Sequence, residues 1–362
     1  MRVNRREFGG LLGGALVGNA LPALHAQPAG RSFGYCIIGL GRISMDHFMP
    51  GVLAGNGVRI TGIVSGHRDK AERMAAKYGV PESSIYSYEN CDAMRDNKEI
   101  DGVYVALPNS MHAEYTIRAA KAGKHVLCEK PMSTSVEDAR AMIAACRAAG
   151  RKLMIAYRCQ LEPTNLRAIE LIRSGRLGVV QTIESGYGFN IRAGEWRLNR
   201  KLAGGGPLMD VGIYALNASR YLTGEEPKEI AAHSSVIDHD GRFNEVEENV
   251  GWTMTFPSGI VASCNTTYGA PMEGFYRVHG SKGVLHAEPA FAYEGIHLRA
   301  KFDDGDPIDD LESEHDPQQF RRQAEYFAGC VAKDQEPKMN GEEGLRDMEL
   351  IARIYSACGI HL

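Results

Sequence analysis

The chain has 362 residues, 44% of them hydrophobic and 24% charged, enough apolar material for two packed cores and too much for a disordered chain. With 41 lysines and arginines against 45 aspartates and glutamates the formal charge is −4, so the basic excess that accompanies nucleic-acid binding is missing. The eight cysteines never come closer than thirteen positions apart, which excludes C-x-x-C zinc spacing and a disulfide scaffold. They read as mostly buried thiols, and no metal site is expected.

In chain order the first feature is Asn4-Arg5-Arg6-Glu7-Phe8, followed by a mildly apolar, Gly-rich stretch too short to span a bilayer securely. Residues 1–26 resemble a twin-arginine export signal, whose route carries proteins already folded. Cleavage after Ala26 is expected, with Ala23 as the other fitting position. The mature protein is then expected in the periplasm with no stable membrane anchor.

From residue 32 the chain alternates strand and helix. Apolar runs at 35–38, 59–64, 102–107, 125–128 and 153–157 are separated by helical spacing at 69–78, 112–122 and 136–149. Ser135 and Asp138 form a capping box for the last of these helices. Such βα units with continuously apolar strands predict a parallel, doubly wound sheet of the Rossmann type. After Arg158 the period changes to two, as in Val250, Trp252, Met254 and Phe256, or Ile260, Ala262, Cys264 and Thr266. Strands at 179–191, 229–237, 246–256, 260–268, 274–279 and 296–302 predict a large open, mainly antiparallel sheet in an α+β domain. Helices at 317–332 and 342–357 close the chain, and the acidic stretch 303–310 reads as a solvated turn. The expected division is therefore a signal over 1–26, a dinucleotide-binding domain over 32–157 and a substrate and oligomerisation domain over 158–362.

The turn after the first strand reads Gly39-Leu40-Gly41-Arg42-Ile43-Ser44, a dinucleotide fingerprint with Ser44 in the third small position. Its value comes from context: it follows a strand, opens a helix whose amides can face a pyrophosphate, and begins a βαβ series. At the end of the second strand stands Ser65-Gly66-His67-Arg68-Asp69-Lys70. No carboxylate occupies the strand end to accept from a ribose 2′-hydroxyl, whereas Arg68 and Lys70 can pair a 2′-phosphate, so NADP is favoured over NAD.

Three further motifs carry a resemblance: Leu107-Pro108-Asn109-x-x-His112, Cys128-Glu129-Lys130-Pro131, and the run from Gly204-Gly205-Gly206-Pro207 through Asp210 to Tyr214. Together they resemble the Gfo/Idh/MocA oxidoreductase family over essentially the whole chain after Ser32. Trp196-Arg197-Leu198 and Tyr157-Arg158-Cys159 point to its sugar-coupled branch, the glucose-fructose and aldose-aldose oxidoreductases. The resemblance implies that Leu107, Asn109, His112, Glu129, Lys130, Arg158, Trp196 and Arg197 join Gly39, Gly41, Arg42, Ile43, Ser65, Gly66, Arg68 and Lys70 around the cofactor. Trp196 is expected near the nicotinamide and Arg197 near phosphate. Many members carry His where Tyr214 stands.

The chemistry can also be read from the residues. Lys130 lies just past a strand at the carboxyl edge of a parallel sheet, where ligands bind in such folds. Asp210 and Tyr214, four apart, share a helix face, and Asp210 can also accept amides at that helix's start. Removing hydride from a sugar carbon requires a base for the hydroxyl proton. A nearby lysine cation is expected to lower the Tyr214 pKa from its ordinary value of about 10. Tyr214 is thus assigned as proton acceptor and donor, Lys130 as its electrostatic partner, and Asp210 as the group orienting substrate and lysine, with Arg158 facing the substrate. The stretch 186–195 is expected in the sugar pocket.

Export and cofactor belong together, because the periplasm offers no ready pool of NADP. A tightly bound NADP reduced by one sugar and reoxidised by a second gives a ping-pong cycle, from aldose to aldonolactone and from aldose or ketose to alditol. An NAD(P)-dependent glycosidase on the same fold, an ordinary NADP-dependent aldose 1-dehydrogenase with exchangeable cofactor, and a non-catalytic NADP-binding sensor are alternative readings. A homodimer through the outer sheet face is expected, with a tetramer as the other assembly.

Overall fold

Strands β1 (Phe33–Ile38), β2 (Val58–Val64), β3 (Ile85–Tyr86), β4 (Gly102–Val105), β5 (His125–Cys128) and β6 (Leu153–Ile155) form one sheet in the spatial order β3-β2-β1-β4-β5-β6. Every neighbouring pair is parallel. The computed structural model describes residues 31–361, and the expected export signal lies outside them. β1 and β4 are buried along their whole length, which is why they are continuously apolar rather than alternating. Strand order reverses between them, and that switch point places the glycine turn and the loop after β4 side by side. Helices Arg68–Tyr78, His112–Lys121 and Val136–Ala148 fall where the spacing put them, and Ser135 Oγ accepts from Asp138 N at 3.1 Å as the cap.

The second sheet contains β7 (Val180–Gly188), β8 (Glu229–Ser235), β9 (Asn249–Thr255), β10 (Val261–Thr267), β11 (Met272–Gly280), β12 (Gly283–Ala287), β13 (His297–Phe302) and β14 (Ile308–Leu311). Its order is β14-β13-β12-β11-β7-β10-β9-β8. All pairs are antiparallel except β7 with β10. Burial alternates along β9 and β10, with Val250, Trp252, Met254, Ala262, Cys264 and Thr266 inward. The short strands β3 and β12 were not expected, and Ile308–Leu311 pairs as an edge strand where only a solvated turn was expected.

A helix at Pro163–Arg173, also unexpected, follows β6, and another at Ile213–Thr223 lies against β7, β10 and β11. The last two helices, Gln318–Ala332 and Gly341–Ala357, return to the first sheet. Tyr35 in β1 donates its hydroxyl to Ala324 O at 2.8 Å, Phe33 meets Phe327 edge-on, and Ile155 N in β6 donates to Met339 O at 2.8 Å. Seven of the eight cysteines are buried and all are free thiols. Among the described residues no helix is long and apolar enough to cross a membrane.

Candidate active site

The glycine turn is fixed by its surroundings. Gly39 has φ +99°, and a Cβ there would lie 2.3 Å from Ala106 O, so no other residue fits. Ser44 Oγ donates back to Gly39 O at 2.7 Å, which closes the turn with a satisfied, buried hydroxyl. The chain then winds through a wide π-helical segment, Ile43–Phe48, into Met49–Ala54. Gly41, Arg42 and Ile43 open onto a cleft of about 880 Å³. A bare glycine turn, a helix start and a cleft at the switch point of the sheet are what a dinucleotide needs, so these residues fit one.

At the ribose end the two expected cations part company. Lys70 Nζ donates to Leu40 O at 2.5 Å, beside the glycine turn. Arg68 instead bridges Glu72 and Glu82, each at 2.7 Å, because the helix it opens places Glu72 one turn on. Ser65 directly follows β2, its Oγ accepting from His67 N at 3.1 Å, and Gly66 lies under the Tyr88 ring. None of Ser65, Gly66, Arg68 and Lys70 lines the cleft itself.

Lys130 is delivered by β5. Glu129 N donates to Val105 O at 2.9 Å, and the Glu129 carboxylate accepts from Tyr104 OH at 2.5 Å and from Lys130 N at 3.2 Å. Burial raises the Glu129 pKa. Lys130 Nζ reaches the second domain, donating to Asp210 O at 2.6 Å and standing 3.4 Å from Asp210 Oδ1. The other Asp210 oxygen accepts from Tyr268 OH at 3.0 Å and pairs with Arg197 Nε at 2.9 Å. Burial pushes the Asp210 carboxyl up, but Lys130 and Arg197 outweigh it and hold it below the ordinary carboxylate range. Arg197, expected near phosphate, is thus committed to Asp210.

Tyr214 stacks on Phe291, with Lys130 Nζ 4.8 Å from its ring centroid and the Arg158 guanidinium carbon 5.3 Å away. Its hydroxyl is met by Arg158 Nη2 at 3.4 Å. The expected lowering of its pKa by lysine is not what the surroundings produce. Burial raises it above the ordinary tyrosine value, and Arg158 is the cation that opposes the rise. Arg158 is 4% exposed and further donates to the carbonyls of Phe291 and Ala292 and to Gln319.

The expected supports sit on the walls. His112 is buried with Nδ1 2.8 Å from Pro131 O and Nε2 2.9 Å from Leu107 O, so it ties the loop after β4 to the loop after β5. Burial lowers its pKa to about 4. Asn109 donates across the domains to Ala203 O at 2.9 Å. Trp196 and Arg197 line the cleft, as do Tyr187, Phe189, Asn190, Ile191, Arg192 and Glu195 of the 186–195 stretch. Glu195 Oε1 lies 3.7 Å from Arg42, spanning the mouth. Tyr268 escaped the sequence reading, although it is the next inward position after Ile260, Ala262, Cys264 and Thr266. His47 and Tyr293, which also line the cleft, left no such signal.

The fold and cleft define an oxidoreductase class with an NAD-binding Rossmann domain. Residues 33–157 match the family described as "Oxidoreductase family, NAD-binding Rossmann fold", and residues 165–286 match the GFO/IDH/MocA C-terminal domain. The chain belongs to the Gfo/Idh/MocA oxidoreductase family. It is 44% identical to the aldose-aldose oxidoreductase from Caulobacter crescentus, solved with glycerol, over 91% of this chain and 98% of that one, with a TM-score of 0.87. It is 33% identical to the D-xylose 1-dehydrogenase [NADP(+)] of Haloarcula marismortui, covering 89% of this chain and 90% of the relative. A 3-ketoreductase from Actinomadura kijaniata, solved with NADP and TDP-benzene, shares the fold at 24% identity, covering 90% of this chain and 98% of that one, with a TM-score of 0.80.

Proposed function

We propose that the protein is a sugar oxidoreductase that keeps NADP(H) bound, oxidising an aldose to its aldonolactone and reducing a second aldose or ketose to the alditol. The observation that carries this reading is the meeting of Lys130, Asp210 and Tyr214 in the cleft beside the glycine turn. A nicotinamide dinucleotide bound there supplies hydride acceptance and donation. Gly39, Gly41, Arg42 and Ile43 hold its phosphates, and Lys70 meets the ribose phosphate.

Tyr214 takes the proton of the sugar hydroxyl as hydride leaves the same carbon, and returns it to the carbonyl oxygen of the second sugar. Over the two halves one hydride and one proton move from donor to acceptor. Arg158 stabilises the phenolate that starts the oxidative half and is formed again by the reductive half, Lys130 donates to the reacting oxygen, and Asp210 holds Lys130 and the sugar in register. Tyr187 and Phe189 offer ring faces to the sugar.

The 44% identity to an aldose-aldose oxidoreductase supports the sugar class. The resemblance of residues 1–26 to a twin-arginine export signal supports a periplasmic location, where a retained cofactor must be recycled in place. Similarity to the NADP-linked xylose dehydrogenase favours a second reading, an aldose 1-dehydrogenase whose cofactor exchanges. A homodimer through the outward face of the second sheet belongs to the same proposal. The deciding experiment is the absorbance of purified protein. Bound nicotinamide that reduces with glucose and reoxidises with a second sugar supports the coupled cycle, whereas a stoichiometric need for added NADP supports the dehydrogenase.

A further inference from the structure

The helix carrying Asp210 and Tyr214 begins at Gly206-Pro207-Leu208, and its first amides require acceptors. A carboxylate in the first turn is the group that ordinarily reaches back to them, and Asp210 stands there. Asp210 nevertheless faces the cleft. The acceptor is Glu247, 7% exposed and supplied by the loop before β9, whose two oxygens lie 3.1 and 3.0 Å from Gly206 N. Tyr355 of the last helix donates its hydroxyl to the same carboxylate at 2.7 Å. The fit is tight, since a Cβ on Gly206 would lie 2.4 Å from Glu247 O and one on Gly205 2.1 Å from Tyr355 OH.

We propose that Glu247 is a positioning residue for the reaction: by capping the catalytic helix from outside it frees the Asp210 carboxylate to face Lys130, Arg197 and Tyr268. Without it the buried Gly206 amide has no acceptor, and Asp210, the acidic residue of the same helix's first turn, is the group drawn back toward it. Glu247 touches neither Lys130 nor Tyr214 and acts through Asp210 alone. The inference rests on the reading of Lys130, Asp210 and Tyr214 as the reacting group.

The test compares Glu247→Ala, Glu247→Gln, Asp210→Asn and the double variant Glu247→Ala/Asp210→Asn. NADPH affinity, by fluorescence titration, is expected within about twofold of the parent in all four, while kcat falls about 30-fold in Glu247→Ala with KM little changed. Glu247→Gln, which keeps one acceptor oxygen and the side-chain shape, is expected to recover most of that loss. The double variant should be no slower than Asp210→Asn, because the two act in series. Losses that multiply, or unchanged kcat in both Glu247 variants, overturn the proposal. Should Glu247→Ala fail to fold, Glu247→Asp, which withdraws the carboxylate from the Gly206 amide by one methylene, is expected to lower kcat and takes its place alone and combined with Asp210→Asn. Parental kcat in Asp210→Asn would overturn the reading of the site, and the role of Glu247 with it.

Discussion

Lys130 and Asp210 meet backbone first: the ammonium donates to the Asp210 carbonyl oxygen at 2.6 Å, while the carboxylate oxygen nearest it is 3.4 Å away. The peptide group therefore anchors the lysine, and the carboxylate supplies field. Asp210→Asn should leave Lys130 in place and lower kcat about tenfold to a hundredfold, whereas Lys130→Met should cost about a thousandfold by removing the donor to the reacting oxygen. NADPH affinity should change little in either, which separates a chemical loss from a binding loss in steady-state kinetics and titration.

Tyr214→Phe should lower kcat by about two to four orders of magnitude with melting temperature unchanged. Arg158→Gln has a directional effect. Arg158 opposes the burial that raises the Tyr214 pKa, so its loss moves that pKa further up. The oxidative half-reaction, which needs the phenolate, should slow and its rise with pH move to higher pH, while the reductive half is spared. Single-turnover measurements of each half at several pH values check this.

The ribose-end cations should separate on mutation. Lys70→Ala should lower the preference for NADP over NAD about tenfold or more, because Lys70 sits by the glycine turn, while Arg68→Ala, already paired with Glu72 and Glu82, should change it by less than about threefold. The ratio of the two dissociation constants measures it.

Glu195 and Arg42 face each other across the cleft mouth at 3.7 Å, with Arg42 77% exposed. Such a pair is weak and screened by salt. Glu195→Gln should speed NADPH release by about two- to fivefold at low ionic strength and hardly at all at high salt, as read by stopped-flow displacement.

His112 is buried with a pKa lowered to about 4 from 6.5. The folded state thus binds fewer protons than the unfolded chain between these values. The stability His112 contributes is present above about pH 6.5 and is lost as pH falls toward 4, by up to about 3 kcal/mol. Urea unfolding should give lower stability at pH 4.5 than at pH 7, and His112→Gln should flatten that slope.

Much of the site was legible because its motifs are local. Gly39, Lys130 and the run from Gly204 to Tyr214 each sit at an element's end, where spacing and turn chemistry speak directly. Partnerships were not legible. Arg68 looked free to bind phosphate because Glu82 lies fourteen positions on in another turn. Asp210 looked like its own helix cap because Glu247 arrives 41 residues after the Gly206 amide it caps. Burial was underestimated at Tyr214, since a lysine in sequence says nothing of the aromatic wall formed by Tyr187 and Phe291. In the fold, continuous apolar runs marked the first sheet and period-two alternation the second, but the two-residue β3 carries too little pattern to read. The helix Pro163–Arg173 is capped by Glu162, which accepts from the amides of Thr164 and Asn165 at 2.8 and 2.7 Å and is not one of the usual capping residues.

The return of the last two helices to the first sheet means that residues 32–157 do not cover that sheet by themselves. A fragment stopping at residue 157 would leave Phe33 and Tyr35 without Phe327 and Ala324, and β6 without Met339. These contacts cross the border drawn by sequence motifs. Any exchange of halves between relatives has to carry Gln318–Ala332 and Gly341–Ala357 along with the nucleotide module they roof.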